Sequence, residues 1–177
     1  MTHDSYSDTY IRGILQGCKT FAMVGASPNT VRPSYFAMKY LLGKGYKVIP
    51  INPGHAGKEI LGQKVYANLL DISEPVDVVD IFRNSEAALG ITKDAIAIGA
   101  KVVWMQLGVR NDEAARIAEE AGLKVVMNRC PKIEYGRLSG EIGWAGVHTR
   151  TLSSQRPKLG PQGYQKLSIG GTRDKRP

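Results

Sequence analysis

Gly25, Ala26 and Ser27, with Arg32 and Pro33 close behind, are the residues best suited to meet a charged small molecule. Small side chains let main-chain amides approach an anion. Pro33 fits a first helical turn, where no donor is needed, and a helix N-terminus offers free N–H groups to a phosphate. The Arg32 guanidinium lies just before that turn and can add a charge-assisted bond. Its alternative is an exposed arginine, which the helix dipole disfavours at that end. The chemistry implied is anion binding, and it is the best-supported feature of the chain.

Groups able to make or break bonds are sparse. Ser27 lacks the G-x-S-x-G setting that exposes a nucleophile, so hydrogen bonding to an anion is its better role. Of the three histidines, His3 belongs to a terminus expected to fray, His55 to a glycine-rich loop and His148 to the edge of a basic tail. None has a relay partner nearby in sequence. Cys130 follows an apolar run and precedes Pro131; thiol exchange with a sulfur-bearing ligand is open to it, although a buried, inert thiol is the commoner fate. Asp80 stands inside the run Val76-Asp77-Val78-Val79-Asp80-Ile81-Phe82 and needs a partner, because an unpaired buried carboxylate is costly. With Glu134 the only other acid near Cys130, no complete active site emerges.

The elements that must carry these residues follow from periodicity. Tyr10, Ile11, Ile14 and Leu15 keep helical spacing, with Ser7 or Asp8 to cap and Gly17 to stop. Phe21–Val24 reads as strand one, Tyr35–Leu42 as the first crossover helix and Tyr46–Ile51 as strand two. Pro50 cannot donate to a ladder, so strand two is near its end or at a sheet edge there. A loop follows from Asn52 to Leu70, with a small strand or turn at Lys64-Val65-Tyr66. Val76–Phe82 is strand three, Lys101–Leu107 strand four and Leu123–Met127 strand five. Helices fill the gaps, the first opening at Asn84-Ser85-Glu86 and ending at Gly99, the second opening at Asn111-Asp112-Glu113 and ending at Gly122.

Strands alternating with helices through short turns imply right-handed crossovers and a doubly wound parallel sheet in three α/β/α layers. The expected order is 3-2-1-4-5. In such sheets the ligand lies beyond the strand carboxyl ends where the order reverses, here between strands one and four. That rim collects Gly25, Ala26 and Ser27, Asn52 and Pro53, Phe82 and Arg83, and Gln106, Leu107 and Gly108. Phe82 is equally suited to stacking on a base or closing the core.

The 177 residues suit one domain, expected over 1–147, with a flexible basic tail over 148–177. Seven Lys/Arg against Asp174 put +6 of the formal +8 in that tail and leave only +2 on the body. A nucleic-acid surface on the body is therefore not indicated. The tail itself allows nonspecific contact with RNA or an acidic partner. No run reaches the roughly 18 apolar residues needed to span a bilayer, and a cytoplasmic, soluble protein is expected. Two cysteines without a CxxC pair argue against a disulfide framework. Helix faces leave room for a homodimer.

A dinucleotide fingerprint wants G-x-G-x-x-G and an acid after strand two. This chain has Ser27 and Thr30 where the later glycines belong, and Asn52-Pro53 where the acid belongs. NAD is disfavoured; a ligand with an extra ribose phosphate, CoA or NADP, fits better. The ordered blocks V-G-A-S with R-P-S, I-N-P-G, V-D-V-V-D-I-F-R, W-M-Q-L-G-V and N-R-C-P-K-I-E-Y resemble the bacterial CoA-binding domain proteins, small standalone proteins similar to YccU, over about residues 8–140. That family is related to the CoA-binding domain of the succinyl-CoA synthetase α subunit. The resemblance implies a Rossmann-like fold and a CoA or acyl-CoA ligand held by Gly25, Ala26, Ser27, Arg32, Asn52, Pro53, Phe82, Arg83, Gln106 and Gly108. The synthetase's second domain, with its phosphorylated histidine, has no room here. A noncatalytic or regulatory CoA-binding protein is the leading expectation, with an NADP-dependent oxidoreductase and a tail-mediated interaction protein as alternatives.

Overall fold

The computed structural model describes residues 2–141; the expected tail, 148–177, and His148 lie outside the described residues. Five strands form one parallel sheet: β1 (Thr20–Val24), β2 (Lys47–Ile51), β5 (Val78–Ile81), β6 (Val102–Met105) and β7 (Lys124–Val126). Between β2 and β5, a two-stranded hairpin pairs β3 (Glu59–Ile60) with β4 (Gln63–Lys64). Two helical layers sandwich the sheet. α1 (Asp8–Gly17), α2 (Pro33–Gly43) and α5 (Pro131–Ser139) pack with Phe21, Met23 and Trp104 on one face. α3 (Ser85–Ala97) and α4 (Asp112–Glu120) cover Val79, Ile81, Val103 and Met105 on the other. The α/β, Rossmann-like, three-layer expectation is met.

The strand order corrects the expectation. The sheet runs β2-β1-β5-β6-β7, so the third of the five main strands sits beside the first and not outside the second. In the five-strand count the order is 2-1-3-4-5, and the reversal falls between β1 and β5 rather than between the first and fourth strands. The cause is visible in β2. Pro50 has no N–H to give a further strand, and the outer side of β2 is closed by a short bridge in which Tyr66 N donates to the Pro50 carbonyl at 3.0 Å and Asn52 N to the Tyr66 carbonyl at 2.9 Å. β5, buried at every position, takes the interior place that its apolar run requires.

The opposite margin is closed by side chains. The Tyr10 hydroxyl donates to the Val125 carbonyl and accepts from the Val125 amide, both at 3.1 Å, and the Tyr6 hydroxyl accepts from Met127 N at 2.7 Å. Edge strands carry unpaired ladder groups, and here two tyrosines satisfy them. His3 joins this strap: it is 6% exposed and its Nδ1 lies 3.0 Å from the Tyr6 hydroxyl, so the expectation of a frayed terminus is corrected. Burial holds its pKa below the ordinary imidazole value.

α1 is capped by Ser7, α3 by Asn84 and α4 by Asn111, each accepting a main-chain N–H. α5 is a helix that periodicity does not announce, since its residues carry little amphipathic pattern. Pro131 at its first turn is the signal for it, and Gly140 closes it at φ +85°.

Candidate functional site

The site is built at the carboxyl ends of β1, β2 and β5. Gly25 leaves β1 with φ +92°, a region L-residues avoid, and a Cβ there would sit 2.7 Å from the Phe82 carbonyl oxygen and 3.1 Å from the Arg83 Cδ. Only glycine permits this approach. The β1 turn is thereby pressed against the end of β5, with the Arg83 stem alongside. Gly25 N donates to the Ile51 carbonyl at 2.9 Å and Phe82 N to the Val24 carbonyl at 2.8 Å, tying all three strand ends together.

Asn52 locks the same corner. Its Nδ2 donates to the Ala26 carbonyl at 2.8 Å, while its Oδ1 accepts from Gly54 N at 2.9 Å and opens the 3-10 turn Pro53–His55. In the loop that follows β1, Ser27 Oγ accepts from Asn29 N at 3.2 Å and Asn29 Oδ1 from Val31 N at 3.1 Å. Arg32 is the N-cap of α2, exposed and without a side-chain cap bond. Tyr35 N and Phe36 N fold back onto the Arg32 carbonyl, so fewer amides are free than a helix start usually leaves. The amides of Ser27, Thr30 and Ser34 have no partner among the described residues. The turn after β1 thus carries unpartnered N–H groups, with Arg32 and Arg83 both exposed and the Arg83 stem against Gly25.

Gly25, Ala26, Ser27, Asn52, Phe82 and Arg83 are thus brought together, with Pro53 exposed beside them and Phe82 half-buried against the α1/α2/α5 core. Gln106 and Gly108 follow β6, one strand further from β1 than expected. Their polar groups are already engaged within the chain: Gln106 Nε2 donates to Asp80 Oδ1 at 2.8 Å, buried, and Gly108 N donates to Asn128 Oδ1 at 2.8 Å at the surface. Gln106 is the partner that Asp80 required, through its side-chain amide. Asn128, held at φ +52° to make its bond, is a residue the sequence reading did not single out.

Asp80 is completely buried, and its Oδ2 has no partner among the described residues. Burial pushes its pKa up to about 8 despite the Gln106 amide. Cys130, the N-cap of α5, is half-buried at the same end of the sheet. Its thiol is pushed up by burial, an effect the amides of Ile133 and Lys132 oppose and Asp80 reinforces. His55 is half-buried in the turn after β2. No group of three metal-ligating side chains occurs among the described residues. A groove of about 510 Å³ opens at the other end of the sheet, between Gly13 and Gly17 of α1 and the turns before β6 and β7. Lys101 on its wall is already paired with Asp77.

Protein YneT of Bacillus subtilis is 36% identical to the chain over 129 residues, covering 73% of this chain and 94% of its own. Among solved structures, Prb, described as the PH1109 protein redesigned for binding, is 46% identical with a TM-score of 0.74 and covers 77% of this chain and 95% of its own. A dinucleotide-forming acetyl-coenzyme A synthetase 1 from Ca. Korarchaeum cryptofilum, in complex with phosphate and ADP, matches at 29% identity and a TM-score of 0.55, over 62% of this chain but 26% of its own. Residues 19–136, from the start of β1 into α5 and so including every strand described above, match the CoA binding domain family, and the chain belongs to that family.

Proposed function

We propose that the protein binds coenzyme A or an acyl-CoA as a carrier or regulatory protein rather than as a catalyst. The observation that carries this reading is the left-handed Gly25 turn, pressed so close to the Phe82 carbonyl that a Cβ would come within 2.7 Å of its oxygen, with the amides of Ser27, Thr30 and Ser34 unpartnered among the described residues and Arg32 and Arg83 exposed nearby in the chain. The diphosphate sits in that turn, where fixed amides and guanidinium groups favour an anion. The adenosine lies toward Asn52 and Pro53 at the end of β2. The pantetheine arm crosses β5 toward Gln106, Gly108 and Cys130. A binding role is favoured by the titratable groups at this end of the sheet, since Asp80 and Cys130 are both shifted toward their neutral forms and no hydrogen-bonded base pairs with either among the described residues.

Calorimetric titration of the purified chain with CoA and with acetyl-CoA tests this. Saturable heat with one ligand per chain is expected. Arg83→Ala should weaken binding by about 10- to 100-fold, the range for one hydrogen bond to a charged group. Absence of heat at high micromolar CoA, or tighter binding of NADPH than of CoA, would remove the reading.

A further inference from the structure

Between Asp8 and Glu59 the chain holds no acidic residue, while seven lysines and arginines fall in that stretch. Lys44 and Lys47 are answered from elsewhere, by Glu141 and Glu74. Arg32, the N-cap of α2, and Lys39 within it make no ion pair among the described residues. Both are exposed, and with Phe36 between them they fall at positions i, i+4 and i+7, which lie on one side of a helix. The opposite side buries Ala37, Met38 and Leu41, yet Phe36 is 50% exposed. The half-buried Tyr35 stands edge-on to the Phe36 ring at 6.4 Å.

α5 completes this surface. Pro33 and Pro131 each open a helix that follows a strand of the parallel sheet, so both helix starts lie at the carboxyl rim. They lie side by side there, with Lys132 Nζ 5.9 Å from the centre of the Phe36 ring, a cation held against an aromatic face. Ile133, the next residue, is 43% exposed, and Val31, just before α2, is 74% exposed. Three of the five large apolar side chains exposed among the described residues therefore belong to these two helix starts. The nearby acids are engaged within the fold, Glu134 with Arg137 and Glu141 with Tyr40 and Lys44. Among the described residues of the two helices, no carboxylate remains to answer Arg32, Lys39 and Lys132.

We propose that the α2/α5 surface docks an acidic amphipathic helix of a partner protein. The partner's apolar stripe covers Phe36, Val31 and Ile133, and its carboxylates meet Arg32, Lys39 and Lys132. An apolar centre with a charged rim is the anatomy of a protein interface, and an exposed aromatic beside arginine is where binding energy concentrates. Unanswered cations select a partner of opposite sign and repel one of their own. RNA fits less well, because the body carries only +2 and a few phosphate contacts bind weakly. Three cations are also too few to hold the chain on an anionic bilayer, which recruits larger basic clusters. The proposal stands apart from the CoA reading, although Arg32 borders both surfaces.

The test is to map amide shifts of the isotope-labelled full chain during titration with a synthetic amphipathic helix of leucine and glutamate. Saturable shifts confined to residues 31–39 and 131–134 are expected. Lys39→Glu and Lys132→Glu should each weaken binding at least about tenfold, as like charges then face each other, and Phe36→Ala about tenfold. Leu70→Ala, at an exposed leucine in the 3-10 turn Leu69–Asp71, should leave it unchanged. Affinity should also fall at least about tenfold between about 50 and 500 mM salt. If a variant loses its fold, the wild-type shift map and the control peptides decide. An equal response to a leucine–lysine helix or to a scrambled leucine–glutamate peptide overturns the proposal, as do shifts centred elsewhere or none at all. Tighter binding to phosphatidylglycerol vesicles or to single-stranded RNA than to the acidic helix overturns it too.

Discussion

Gly25 and Asp80 show how far single residues determine this site. Replacing Gly25 by alanine meets two penalties, a left-handed backbone worth about 1–2 kcal/mol and a Cβ 2.7 Å from the Phe82 carbonyl. Gly25→Ala is expected to lower unfolding free energy by about 2–4 kcal/mol in urea denaturation and to abolish CoA heat in calorimetry. Asp80 opposes folding as pH rises. Its folded pKa, about 8, lies above the 3.8 of a free aspartate, so the unfolded chain ionises first and stability falls between pH 4 and pH 8. Asp80→Asn keeps an acceptor for Gln106 and removes that charge. The variant should be at least about 2 kcal/mol more stable at pH 7 and equal to wild type near pH 4, measured by denaturation at both pH values. Gly25 was legible in the sequence because its neighbours are small and a proline-headed helix follows. The Phe82 carbonyl that makes it obligatory was not, since that contact depends on which strand lies beside β1.

Elements follow their local signals closely, and departures have local causes. The caps Ser7, Asn84 and Asn111 stand where the sequence reading placed helix starts. α5 escaped because its apolar residues do not repeat at helical spacing; it is held by tertiary partners, Tyr135 in the core and Arg137 reaching both Glu134 and Asp8 at 2.7 Å. The tyrosine strap on β7 escaped for a related reason, because Tyr10 reads equally well as part of the apolar stripe of α1. Tyr10→Phe deletes both bonds to Val125 while keeping the ring. It should cost about 1–3 kcal/mol and speed Val125 amide exchange, with the β1 and β5 amides little affected. Uniform acceleration across the sheet would show that the hydroxyl has no local role at that edge.

At the scale of the molecule, class and layering were readable from alternating strand and helix patterns, whereas strand order was not, because one periodicity serves several windings. Pro50 held the decisive clue: a strand that cannot donate midway belongs at an edge, which leaves β5 the interior position beside β1. The site consequently shifted by one strand, keeping Phe82 and Arg83 central and moving Gln106 and Gly108 outward. Charge distribution places +6 of +8 beyond residue 147. Removal of residues 148–177 should leave the CoA dissociation constant within about twofold, because each backbone group of the proposed cradle lies between Gly25 and Arg83; a larger loss would bring the tail into the ligand site.

The tyrosine hydroxyls on β7 and the Tyr66 bridge on β2 occupy ladder groups at both selvages of the sheet. Among the described residues, a further strand would meet ladder groups already taken at Val125, Met127 and Pro50. Strand addition on β7 would first require Tyr6 and Tyr10, with His3 held on Tyr6, to peel away from it. The opening residues of the chain thus stand between that margin and any incoming strand.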